Sequence, residues 1–274
     1  MSSFSERSAG LRKVYRALRK ACGKQSLEPA DDVAHELLRF ILMEEADQTS
    51  VDKAMKRFSQ DFVDLNEVRV SFPREIAEVM PEVSHAEQKA SRVTRVFNGI
   101  FLSHNTMTWD FLRTMGVREV RQFFEKLDGG GEVLAAAAVL LLSGGHAVPA
   151  DADVTRTLSR LGLTVEGEDT ASLQSFLERA VARNEGYETW ALLHRLAESV
   201  CLPDKPQCAK CPVRTMCPTG AEILAVKKSA GRTVKSERAK PAAGKKPQRA
   251  KKTTAKKKSS AAASKRAAPS KRKK

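Results

Sequence analysis

Four of the chain's five cysteines fall within one short segment, at Cys201, Cys208, Cys211 and Cys217, with the spacing C-x6-C-x2-C-x5-C. That segment, CLPDKPQCAKCPVRTMC, is rich in proline and charge and poor in helical pattern. The N-terminus, MSSFSERSAGLRK, carries no secretory signal, so clustered thiols point to a metal centre ahead of disulfides. The C-x2-C step lets two thiolates grip one centre, and the longer steps bring the loop back around it. Two occupants fit. Zinc held by four cysteines is usually built from two C-x2-C knuckles, and one is present here. Four thiolates in one compact loop also suit a [4Fe–4S] cubane. Cys22 stands apart, as a small buried residue of an N-terminal helix.

A second feature with chemical potential is Leu127-Asp128-Gly129-Gly130-Gly131, placed between two stretches of helical pattern. Glycines permit positive φ and let backbone N–H groups approach an anion at the head of the following helix. A helix-hairpin-helix of this kind has a DNA phosphate as its natural ligand. Three glycines between helices also describe an ordinary connecting loop.

Helices must position both features, because almost every segment has a period near 3.6. Leu11 to Cys22, Ala34 to Met43, Val51 to Phe62, Ala86 to Phe101 and Val117 to Leu127 place apolar residues at helical spacing. Val133 to Leu142 is apolar almost all round, which requires burial. Asp153 to Leu161 stops at Gly162, and Leu173 to Ala182 and Trp190 to Ser199 complete the set. No alternating strand and no internal repeat is visible, so the fold class is all-α. Trp109, Trp190 and His194 read as packing residues.

The chain has 274 residues, enough for one or two domains. Hydrophobic residues make up 41% and aromatics 5%, so the core must be aliphatic. The longest apolar run, Val133 to Leu142, is ten residues, against the roughly 20 that a membrane span needs. Membrane-spanning and secreted classes are therefore set aside. The net charge of +15 is unevenly divided. Lys227 to Lys274 holds 20 Lys or Arg and one acid, for +19, while the first 226 residues hold 28 basic and 32 acidic, for −4. A Lys/Ala/Ser/Pro tail buries too little surface to offset its ordering entropy, so disorder is expected there. Such a tail attracts polyanions by counterion release, nucleic acid being the commoner one, or serves only as a solubilising extension.

The cysteine spacing following a helix resembles the iron–sulfur loop of the endonuclease III family of DNA repair glycosylases. The resemblance extends over residues 11–217. The family's hairpin reads L-P-G-x-G-x-K-T-A, followed by an apolar helix, V-D-T-H-V-x-R-V and R-L-G-L. This chain reads LDGGGEVLAAAAVLLLSGGHAVPADADVTRTLSRLGL. Leu127, Gly129, Gly131 and Ala135 fall on the hairpin, and Asp151, Val154, Arg156 and Arg160-Leu161-Gly162-Leu163 fall on the second motif. Upstream, AHELLRFILMEEADQTSVDKA resembles the helix and turn that the family inserts into the duplex.

The resemblance implies a two-lobed helical fold with a [4Fe–4S] cluster on Cys201, Cys208, Cys211 and Cys217. Double-stranded DNA would lie in the cleft, touching Leu127, Gly129, Gly131, Glu45 and Arg156. It implies base removal at a glycosidic bond, with Asp151 stabilising the sugar cation or activating the nucleophile. Asp151 reads equally as a helix N-cap. The chain departs from the family at several functional positions. Val133 stands where bifunctional members carry the Schiff-base lysine, so lyase chemistry should be absent or weak. The lesion-probing glutamine is Glu45, with Glu44 beside it, the motif's histidine is Asp153, and Asp128 and Glu132 flank the hairpin glycines. Acids at a phosphate-binding surface weaken it.

The sequence thus predicts an N-terminal helix (1–28) joining a cluster lobe (134–217). A helical bundle lobe (29–133) carries the hairpin at about 117–142, and a disordered basic tail spans 218–274. The expected function is an endonuclease III-like DNA N-glycosylase of base-excision repair; the alternative is a catalytically silent DNA-binding paralogue. The expected setting is a cytoplasmic monomer, nucleoid-associated if bacterial.

Overall fold

A computed structural model describes residues 3–27, 32–106 and 109–226, and among these there is no strand. The basic tail from Lys227 and the boundary at 28–29 lie outside the described residues. The helices are α1 (Phe4–Cys22), α2 (Val33–Met43), α3 (Gln48–Asp61), α4 (Leu65–Val70), α5 (Pro73–Val79) and α6 (Ala86–His104). They continue as α7 (Phe111–Thr114), α8 (Val117–Lys126), α9 (Glu132–Leu142), α10 (Ala152–Arg160), α11 (Thr170–Ala180) and α12 (Gly186–Ser199). Residues 218–226 are also helical, so regular structure continues past the last cysteine into the span read from sequence as tail.

Local chemistry sets the starts. Asp32, Asp47, Asp64, Asp151 and Asp169 each accept from first-turn N–H groups, and Ser3 with Glu6 forms a reciprocal capping box. The stop at Gly162 is realised. Its φ is +70°, and the N–H groups of Gly162 and Leu163 bond back to Ser159 and Leu158.

The molecule is organised around α9. Its residues from Leu134 to Val139 are fully buried, and it packs on α2, α8, α11 and α12. Four consecutive alanines, Ala135 to Ala138, let those neighbours approach its backbone from several sides. On one side α2 packs on α3 and α6, with α4 and α5 against α6. On the other, α1 packs on α11 and α12, and α10 on α12. One hydrophobic core runs continuously through both groups. Trp109 and Trp190 are core residues, 3% and 6% exposed. No helix among the described residues is long and apolar enough to cross a membrane.

Candidate functional site

The cysteine loop leaves α12 at Val200. Cys201, Cys208, Cys211 and Cys217 all line one cavity of about 330 Å³, part of it open to solvent, together with Arg160, Arg214 and Gly220. Loop geometry is held by backbone bonds from Cys201 to Leu196 and from Gln207 to Val200, with short 3-10 turns at Cys208–Lys210 and Arg214–Met216. Arg160 straps it down, donating to the carbonyls of Cys201, Leu202 and Pro203 at 3.0, 2.6 and 2.5 Å. It also approaches Cys201 Sγ at 3.5 Å, and Gly220 N donates to Cys217 Sγ at 3.3 Å. Burial pushes the thiols of Cys211 and Cys217 up, and the neighbouring thiols add to it; a bound cation reverses that preference.

The donor set can be tested against the two candidate occupants. A tetrahedral zinc at about 2.3 Å from each thiolate brings sulfurs to about 3.8 Å of one another. Among the described residues the one group of three or more metal-ligating atoms all within 4.8 Å is elsewhere, at Asp151, Asp153 and His194. Four thiols around one cavity are a donor set that either occupant can take.

The hairpin connects α8 to α9. Gly129 and Gly131 have φ of +78° and +95°, as a tight glycine turn requires. Gly130 is fixed for a different reason: a Cβ there would lie 2.0 Å from the Phe124 carbonyl oxygen. Gly130 N and Gly131 N donate inward to Leu127 O and Phe124 O. No side chain caps the start of α9. Leu127 packs over Gly99 of α6, where a Cβ would meet it at 2.6 Å, so it anchors the turn. Val133 is half-buried against the core.

Arg92 of α6 joins the hairpin to the turn between α2 and α3. It donates to Gly129 O at 2.8 Å and Gly130 O at 3.3 Å, and pairs with Glu44 at 2.9 Å. Of the acids that depart from the resembling family's pattern, Glu44 pairs with Arg92 and Asp128 with Arg95 at 2.9 Å, and Glu45 lies 3.3 Å from His85 Nε2. Glu45 adopts φ +52°. Its carbonyl accepts from Ser84 Oγ, and its N–H donates to Asp153 Oδ2 at 3.0 Å. Lys89 is buried beneath, donating to Leu42 O at 2.9 Å and to Glu44 O. Burial lowers its pKa to about 8, against the raising influence of Glu44, Glu45 and Asp153.

Asp151 is the N-cap of α10. Its carboxylate accepts from Val154 N at 2.8 Å and from Trp190 Nε1 at 2.9 Å, and the residue is 4% exposed. Burial raises its pKa, while His194, the Val154 N–H and the Trp190 N–H pull the other way. Trp190 also lines two adjoining cavities, sharing Met43, Gln48 and Tyr187 with both; Asp151 lines neither. Behind the indole lies a compact ionic cluster. Asp153 is in ion-pair contact with Arg156 at 2.5 Å, and His194 Nδ1 stands 3.1 Å from Glu198. Burial works against protonation of His194, but Glu198, Asp151 and Asp153 outweigh it and raise its pKa. Arg156, read from sequence as a DNA contact, instead has its guanidinium on Asp153 and on Cys201 O at 3.2 Å.

Lys89 and Arg92 are the site residues that sequence reading did not single out as functional. Lys89 had a usable signal: its spacing to Val93, Val96 and Ile100 puts it on the buried face of α6. Arg92 and Asp153 act across the fold, at partners 37 and 108 positions away, which spacing alone does not reveal.

The sequence matches no model of a known protein family. Solved structures do match the fold. A non-covalent endonuclease III–DNA complex aligns with TM-score 0.64 at 17% identity, over 82% of this chain and 100% of that one. A trapped endonuclease III–DNA covalent intermediate gives 0.62 at 18% identity with the same coverage. A thermostable thymine-DNA glycosylase gives 0.55 at 17%, over 79% of this chain and 97% of that one. The chain has the all-α helix-hairpin-helix DNA glycosylase fold, in a divergent sequence.

Proposed function

We propose that this chain binds duplex DNA with its hairpin and its 43–47 turn, and that it does so without excising a base. The observation that carries the reading is the state of Asp151. A carboxylate that assists glycosidic cleavage must be ionised and must reach the sugar. Here it is buried, accepts one donor on each oxygen with Trp190 against it, and burial favours its neutral form. Val133 offers no amine. What remains is a scaffold for DNA: the glycine turn with the uncapped start of α9, and a turn held at Glu45. The fold's company among DNA-bound glycosylases supports duplex DNA as the ligand.

A second reading is a monofunctional N-glycosylase with no lyase step. It is favoured by the place of Asp151 at the head of α10, one indole ring behind a cavity wall. Rotation of Trp190 would be needed to expose it.

The cysteine loop is best read as a [4Fe–4S] site on Cys201, Cys208, Cys211 and Cys217, supported by the C-x6-C-x2-C-x5-C spacing and by the four thiols lining one cavity. Such a cluster, when bound, cross-links the loop through four thiolates. Purified protein should hold iron and sulfide and absorb visible light; stoichiometric zinc in a colourless sample would refute the cluster.

The DNA reading is tested by titrating a duplex that carries a tetrahydrofuran abasic analogue, at rising salt. Full-length chain and a chain ending at Val226 should both bind, with the shorter one weaker and less salt-dependent. Loss of all binding on removing the tail would assign affinity to the tail's charge and overturn the role given to the fold.

A further inference from the structure

Asp153 occupies a position where the resembling family's motif carries histidine, and the structure gives that replacement a use. It is 3% exposed. One carboxylate oxygen accepts from Glu45 N at 3.0 Å, and the other contacts the Arg156 guanidinium at 2.5 Å. Arg156 Nε in turn donates to Cys201 O at 3.2 Å. His194 Nε2 lies 3.8 Å from the Glu45-facing oxygen. A continuous polar path thus runs from the cysteine loop, through α10, to the backbone of the turn between α2 and α3.

Glu45 is a costly residue to hold there. A non-glycine residue at φ +52° is strained and persists where its surroundings over-determine it. Its carbonyl is held by Ser84 and the preceding carbonyls by Lys89, all from the stretch that leads into or forms α6. The N–H bond to Asp153 is the restraint that comes from the α10 side. We infer that Asp153 is a positioning residue: it sets the conformation of the 43–47 turn from the α10 side, with Arg156 tying that carboxylate to the cysteine loop. The inference rests on the reading that this turn meets DNA, but its first readout does not.

The test is residue-resolved amide hydrogen exchange on the full chain as purified, followed by titration of the tetrahydrofuran duplex. Asp153→Ala should speed exchange at Glu45 by about tenfold or more relative to α2 and α12 amides, and weaken duplex binding by about tenfold. Asp153→Asn keeps an acceptor for the Glu45 N–H and should retain most of both. Removing one partner of a buried ion pair can unfold a protein, so Asp153→Ala/Arg156→Met, which removes both charges, serves as the second variant. It should fold and still show the fast Glu45 amide. Uniform acceleration of all amides, or an unchanged Glu45 amide in folded protein, would overturn the inference. Fast exchange at Glu45 with unchanged affinity would uphold Asp153 as the turn's restraint and overturn the turn's role in meeting DNA. Wild-type protein that fails to bind the duplex would refute the DNA reading itself, while the exchange data would still decide whether Asp153 orders the turn.

Discussion

Replacing Asp151 by alanine measures through stability what this carboxylate contributes as a buried cap. The side chain accepts two buried hydrogen bonds, from Val154 N at 2.8 Å and Trp190 Nε1 at 2.9 Å. Loss of an N-cap costs about 1 kcal/mol. Stranding a buried indole N–H adds about 1–3 kcal/mol. The sum is about 3 kcal/mol, equivalent to a fall in Tm of about 6–12 °C for a folded region of this size. Asparagine keeps one acceptor and should cost about half as much. The pH trend follows from linkage. The folded carboxyl titrates above its ordinary 3.8, so the wild type loses stability as pH rises from there through the folded value, and alanine does not. The deficit of the variant should therefore be largest near pH 4 and shrink towards neutrality. Urea unfolding followed by helical circular dichroism at both pH values measures it, with tryptophan emission as a local report, since Trp190 is one of two tryptophans. A deficit below about 0.5 kcal/mol at pH 4, or one that grows with pH, would refute the assignment of Asp151 as a buried cap.

Two further outcomes follow from the same geometry. Gly130→Ala places a Cβ 2.0 Å from the Phe124 carbonyl, so the hairpin must open; duplex affinity should fall at least as far as for a positive-φ substitution at Gly131, and equal affinity to wild type would show that the turn does not meet DNA. Lys89 titrates near 8 when folded and near 10.5 in an ordinary setting, so the unfolded chain binds more protons between those values and wild-type stability should rise across pH 8 to 10.5 relative to Lys89→Met. A flat or falling difference in matched urea titrations would show the amine to be solvated.

The helical class, the order of the long helices and the glycine turn were legible because they rest on local rules: period, caps and φ. The spacing of Ala86 to Phe101 finds the start of α6 and stops three residues short of its end, and the all-round apolarity of Val133 to Leu142 predicts α9 to within one residue. The short helices α4, α5 and α7 carry too few residues for a period to register. At the site, sequence marked the acids at 44, 45, 128, 132 and 153 as departures at functional positions. The neighbours of four of them, Arg92, His85, Arg95 and Arg156, become visible only once the chain is folded. Asp151 had two readings in sequence because a catalytic carboxylate and an N-cap occupy the same place at a helix start. What the fold adds is Trp190, 39 residues on, whose indole N–H donates to the second oxygen.

The measurement that bears most directly on DNA binding without excision is incubation of the purified chain with a panel of duplexes. These carry oxidised pyrimidines, uracil opposite guanine, or adenine opposite oxidised guanine. Each is read with and without hot alkali and after borohydride trapping, beside a binding titration on the same duplexes. The expected result is binding with no alkali-labile site and no trapped adduct. Strand breaks that appear only after alkali, and vanish in Asp151→Asn, would contradict it and establish hydrolytic base removal through that carboxylate.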